Sequence, residues 1–133
     1  MSVASERKLE RLTEILDKLS AKIVLGTPVL VEGKKDVQAL RRLNILGTMI
    51  TIKDSGKVLE DLLYEFQGPE VIAFVDFDKH GTELTKEILC HMERRRIRVN
   101  TVFWRKTRAL VRRDVKDVEG LPSYLERLKK KTT

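Results

Sequence analysis

Apolar residues recur along the chain in two rhythms, and the rhythms divide it into alternating helices and strands. Leu9, Leu12, Leu16, Leu19 and Ile23 advance by threes and fours, the signature of one stripe on a helix over residues 5–25. Ser5 is placed to cap that helix and Glu6 falls in its first turn. Gly26-Thr27-Pro28 ends it. Short apolar runs then alternate with further helical stripes. Strands are predicted over 29–31, 48–52, 71–75 and 99–104. Helices are predicted around Val37, Leu40 and Leu43, over 58–66, over 84–92, and over 121–131, where Pro122 suits a first turn. Between the fourth strand and the last helix lies a polar, basic stretch, residues 105–117.

Strands separated by single helices through short connections imply right-handed crossovers and a parallel sheet with helices on both faces. The expectation is therefore one α/β, Rossmann-like domain with a four-stranded parallel sheet, plus N-terminal and C-terminal helices. Residues 1–26 form a helix packed on the domain, and 27–133 form the domain with its basic extension. The first helix has too few heptads for a coiled coil, so it is expected to lie on its own domain, in a monomer or weak dimer.

The length, 133 residues, allows one core and not two. With 41% hydrophobic and 35% charged residues, the chain holds no apolar run near the ~18 residues that a membrane span requires. Its first residues lack the apolar centre of a signal peptide. A lone cysteine, Cys90, excludes an internal disulfide and fits a cytoplasmic location; with two histidines it also excludes a zinc finger. A formal charge of +7 points to a polyanionic partner, RNA or DNA, rather than a membrane.

The third predicted strand, Val71-Ile72-Ala73-Phe74-Val75, runs into Asp76-Phe77-Asp78-Lys79-His80-Gly81. Five apolar residues in succession describe a strand buried on both faces. On an extended chain Asp76 and Asp78 leave on the same side, with Phe77 opposite. Paired carboxylates at a strand tip repel, and a hard divalent cation relieves that repulsion; alternatively, Asp78 caps the next helix and Asp76 is simply exposed. Glu32 follows the first strand directly. Where the winding of a parallel sheet reverses between its first and third strands, those strands are neighbours, and Glu32 converges with Asp76 and Asp78 at the carboxyl edge. Phosphate-loop readings fail: Lys35 stands where the magnesium-holding Ser or Thr belongs after Gly33-Lys34, and Ser55-Gly56-Lys57 lacks the earlier glycine. Neither a dinucleotide-binding glycine motif nor a nucleophile elbow is present.

The order Glu32-Gly33-Lys34-x-Asp36, then Gly56, then Asp76-x-Asp78-x-x-Gly81, each after a predicted strand, resembles the Toprim domain. That catalytic module is shared by topoisomerases, bacterial primases and several small nucleases. The resemblance covers about residues 28–104 and implies that Asp76 and Asp78, with Glu32, hold Mg²⁺. It further implies Glu32 as the general acid or base of phosphodiester cleavage or transfer, and Gly33, Gly56 and Gly81 as structural positions. The tyrosine-bearing domain of topoisomerases and the zinc ribbon of primases are missing, which leaves the small stand-alone Toprim proteins and the module of RNA-maturation nucleases as the nearest match.

Lys34, Lys35 and Lys79 flank the acidic tips. Arg94, Arg95, Arg96, Arg98, Arg105, Lys106, Arg108, Arg112 and Arg113 crowd the region around Phe103 and Trp104. Arginine pairs with phosphates, and an exposed ring stacks on bases, so these cations and Trp104 are candidate nucleic-acid contacts. Strand alternation would bury only one of the two aromatics. Three functions are compatible: an Mg²⁺-dependent nuclease or phosphotransferase, a non-catalytic binding subunit of an RNA-processing or DNA-replication complex, and a small-molecule phosphate-transfer enzyme.

Overall fold

The computed structural model describes residues 3–132. Met1, Ser2 and Thr133, which the expected domain bounds include, lie outside the described residues. Helix α1 (Val3–Val24) leads into β1 (Val29–Val31), α2 (Lys34–Arg42) and β2 (Met49–Thr51). A 3₁₀ turn (Lys53–Ser55), α3 (Leu59–Tyr64), β3 (Glu70–Ala73) and α4 (Lys79–Arg94) follow. The chain closes with β4 (Arg98–Asn100), α5 (Val102–Val111), a second 3₁₀ turn (Val118–Gly120) and α6 (Leu121–Thr132).

All four strands are parallel, in the order β2-β1-β3-β4. The fold class is thus the expected one, a parallel α/β sheet flanked by helices. Stepping from β1 to β2 moves one way along the sheet, and stepping from β3 to β4 moves the other way. Right-handed crossovers therefore put α2 on one face and α3 and α4 on the opposite face. The winding reverses between β1 and β3, where a parallel sheet opens a crevice beyond its carboxyl ends. Val29, Leu30, Val31, Val71, Ile72 and Ala73 are buried, as strands covered on both faces must be.

Helix α1 buries Leu12, Leu16, Leu19 and Ile23, four of the five predicted stripe positions, against α5 and α6. Its apolar face is consumed within the chain.

The fourth predicted strand is shorter than its apolar run. Strand β4 stops at Asn100, and α5 begins at Val102. Asn100 Oδ1 accepts the Val102 N–H (3.0 Å), satisfying one of the donors that a helix start leaves unpaired. Phe103 and Trp104 are then consecutive residues of one helix turn, and both are buried, at 9% and 5% exposure. Phe103, Thr107 and Val111 form the buried stripe of α5, a helix that spans the end of the predicted strand and the start of the polar, basic stretch.

Candidate acidic crevice at the switch point

Two features of the chain place Asp76. The β3 ladder ends at Ala73, and the chain continues extended as far as Phe74, whose N–H donates to the Leu30 carbonyl (2.9 Å). Phe74 and Phe77 are both buried, with rings in edge contact at 6.0 Å. A spacing of three between inward side chains breaks the period of two, so the expected same-side exit of Asp76 and Asp78 does not occur. Asp76 lines a cavity of about 360 Å³ together with Asp36, Asp54, Asp117, Glu119, Lys34, Lys35 and Lys53. Asp78 lines a different depression. Its Oδ1 accepts the Gly81 N–H (2.9 Å) as the N-cap of α4, one of the two roles the sequence left open.

Glu32 and Asp76 do meet. Glu32, only 2% exposed, accepts the Asp76 N–H on Oε2 at 2.9 Å. Its Oε1 lies 3.3 Å from His80 Nδ1 and 4.0 Å from Lys53 Nζ. The Asp76 carboxyl accepts the Val118 N–H (3.2 Å), and its backbone carbonyl accepts the Trp104 indole N–H (3.0 Å). Burial, followed by the Glu32 carboxyl within hydrogen-bonding reach, pushes the Asp76 carboxyl up from 3.8 to about 7; the Val118 N–H works against them. Asp36 is also raised, first by burial and then by Glu32, with the Gly33 N–H opposing. Crowded half-buried carboxyls of this kind favour whatever neutralises them, a proton or a cation.

The glycines divide by mechanism. A Cβ on Gly81 would stand 1.8 Å from the Asp76 carbonyl oxygen, so the first turn of α4 can pack under the Asp76 backbone only without a side chain. Gly56 has φ +73°, a left-handed conformation that closes the turn after β2. Gly33 has ordinary extended backbone, and its contribution is the N–H that Asp36 accepts (3.0 Å).

The cations separate into two sets. Arg94, Arg95, Arg96 and Arg98 gather where α4 ends and β4 begins, at the amino edge and away from the crevice. Arg95 is committed there: it donates to the Leu63 and Phe66 carbonyls at the end of α3, and its guanidinium covers the Tyr64 ring. Trp104 is buried, its N–H on Asp76, so it holds the acidic loop rather than offering a ring to a base. Arg105 and Lys106 are exposed on α5. Arg108, Arg112 and Arg113 stand with Lys79 beside the Asp76–Asp78 turn, and Lys34 and Lys35 rim the acidic cavity.

Asp36, Asp54, Asp117 and Glu119 are the carboxylates that local sequence did not bring to Asp76. The signal for Asp36 was its place three residues after Gly33, on the first turn of the helix that follows Glu32. Asp117 and Glu119 arrive through the Val118–Asp76 bond, which pairs residues far apart in the chain and leaves no local trace. Among the described residues no three His, Cys, Asp or Glu side chains form a ready-made metal cluster.

A wound parallel sheet with buried carboxylates at its switch point defines the structural class. No family model matches the chain. It is 34% identical over 119 residues to a UPF0292 protein of Methanocaldococcus jannaschii, covering 89% of this chain and 92% of that one. A UPF0292 protein of Methanosarcina barkeri is 30% identical over 132 residues (95% and 88% covered), and one of Thermococcus kodakarensis is 34% identical over 112 (84% and 81%). The chain belongs to the UPF0292 family. Among solved structures it is similar to a putative protein from Aquifex aeolicus, with a TM-score of 0.63 and 26% identity over 80% of this chain and 94% of that one. Among the described residues no helix is long and apolar enough to cross a membrane.

Proposed function

We propose that the chain is a Toprim-type, Mg²⁺-dependent protein of the cytoplasm that cleaves or transfers phosphodiesters of RNA or DNA. The observation that carries this reading is the bond from the Asp76 amide to Glu32, which joins two acidic motifs distant in sequence at the one place where a parallel sheet collects ligands. The donor set fits magnesium: hard carboxylate oxygens, crowded enough that Asp76 holds its proton to about pH 7. Magnesium needs only one or two carboxylates, completing its shell with water and phosphate oxygens. Asp76 and Glu32 would hold it, with Asp36 adjacent, and Asp78 would position the loop through its cap on α4. When bound, the ion would supply charge stabilisation to the transferring phosphoryl group. Glu32, linked to His80, is placed to move a proton, and Lys34 and Lys35 at the rim are placed to meet phosphates.

The test is cleavage of end-labelled RNA and DNA, single- and double-stranded, in Mg²⁺ and in EDTA. Glu32→Gln and Asp76→Asn should each abolish product formation while the fold persists. If both variants turn over a substrate as the wild type does, the assignment is wrong.

One observation favours a non-catalytic reading, in which the chain is a binding subunit of a processing or replication complex. Both Glu32 oxygens already have partners, and the side chain is 3% exposed, an arrangement suited to holding a loop. That reading predicts salt-sensitive binding with no products at any Mg²⁺ concentration.

A further inference from the structure

The geometry points to a phosphate-binding pocket between the tip of β3 and the C-terminal end of α5, which seats one phosphate of a polynucleotide strand next to the phosphate presented to the acidic crevice. The inference rests on the nucleic-acid reading above and adds a separate site to it. The pocket has a volume of about 530 Å³ and is walled by Lys79, Arg108, Arg112, Arg113 and Lys116 over a floor that includes Phe77.

Five cations around one cavity repel each other unless something neutralises them. Among the described residues none of the five makes a salt bridge, although Lys8, Lys18, Lys22, Lys53 and Lys57 all do. Asp78, the carboxylate on the same wall, has one oxygen on the Gly81 N–H. Arg108 uses only Nε, on the Phe77 carbonyl (3.2 Å), and its guanidinium is held over the Trp104 ring at 5.7 Å. That leaves its two terminal amino groups for a forked contact with phosphate oxygens. Lys116 reaches the Arg112 carbonyl (2.7 Å) with one of its three protons.

The two cavities share their walls. Within residues 112–119, Arg112, Arg113 and Lys116 face one cavity while Asp117 and Glu119 face the other. The Phe77 N–H on the Lys116 carbonyl (2.8 Å) pins the ridge between them. Across that ridge Asp76 and Asp78 are two residues apart, at most roughly 7 Å between Cα atoms. A strand anchored by a phosphate in the basic pocket would lie beside the acidic cavity, whose own rim carries Lys34, Lys35 and Lys53.

Trp104 is the sole tryptophan, and its ring carries Arg108, so its fluorescence reports the pocket directly. Metal-free protein would be titrated with inorganic phosphate and with short RNA and DNA oligonucleotides at fixed salt. The expected result is a Trp104 signal with both probes, phosphate competing with the oligonucleotide. Arg112→Glu and Lys116→Glu, both at exposed positions, should each weaken oligonucleotide binding at least tenfold. Arg94→Glu, at the opposite edge, should change it less than twofold. Oligonucleotide binding that survives Arg112→Glu and Lys116→Glu would overturn the pocket and leave the nucleic-acid reading intact. A phosphate response with no binding of any oligonucleotide would overturn the nucleic-acid reading, and the strand assignment with it.

Discussion

Replacing Asp76 by Asn should stabilise the metal-free protein at neutral pH while removing its proposed activity. The Asp76 carboxyl is raised from 3.8 to about 7 in the folded protein, so the native state binds this proton more tightly than the unfolded chain does. For an acid shifted upward, stability is lost as pH rises from about 4 through about 7 and stays lost above that. At ~1.4 kcal/mol per tenfold the full displacement corresponds to ~4 kcal/mol. Asp76 is only half-buried, and solvent screening brings the cost nearer ~2 kcal/mol. Asparagine keeps an oxygen for the Val118 N–H and offers Glu32 an amide donor, so little else is lost. Urea unfolding in EDTA should give Asp76→Asn an advantage of ~2 kcal/mol at pH 8 that shrinks below ~0.5 kcal/mol at pH 4. Magnesium should narrow the gap at pH 8 by stabilising the wild type alone. An advantage independent of pH, or a variant less stable at pH 8, would refute the raising of Asp76 by burial and by Glu32.

Other perturbations separate structural from functional roles. Gly81→Ala forces the first turn of α4 away from the Asp76 carbonyl and should cost ~3 kcal/mol in chemical denaturation; a neutral result would mean that the turn relaxes freely. Arg95→Ala frees two carbonyls at the end of α3 and should lower stability by ~1–2 kcal/mol with no change in oligonucleotide affinity. Thr107 buries a hydroxyl oxygen with no hydrogen-bond partner, so Thr107→Val should be neutral or stabilise by up to ~1 kcal/mol.

What the sequence made legible follows from how local each signal is. The order of elements as far as β4, the parallel sheet and the meeting of Glu32 with Asp76 depend on hydrophobic rhythm and on the handedness of crossovers, and both act on every βαβ unit alike. Boundaries depend on single hydrogen bonds. The apolar run 99–104 supports a strand until Asn100 caps Val102, after which Phe103 and Trp104 turn together into the core. The role of Trp104 therefore differs from the one its neighbourhood of arginines implies: its indole fixes the Asp76 carbonyl and its ring carries Arg108. Residues near in sequence are likewise parted by α4, which carries Arg94 and Arg95 to one edge of the sheet while Lys79 remains at the other. The return of the chain through residues 112–119 has no periodic signature, yet it supplies Asp117 and Glu119 to one cavity and Arg112 and Lys116 to the next. Lys34, Lys35 and Lys53 offset part of the carboxylate charge at the rim of the acidic cavity, and that segment adds Arg112 and Lys116 on the far side of a ridge only one residue wide, Phe77.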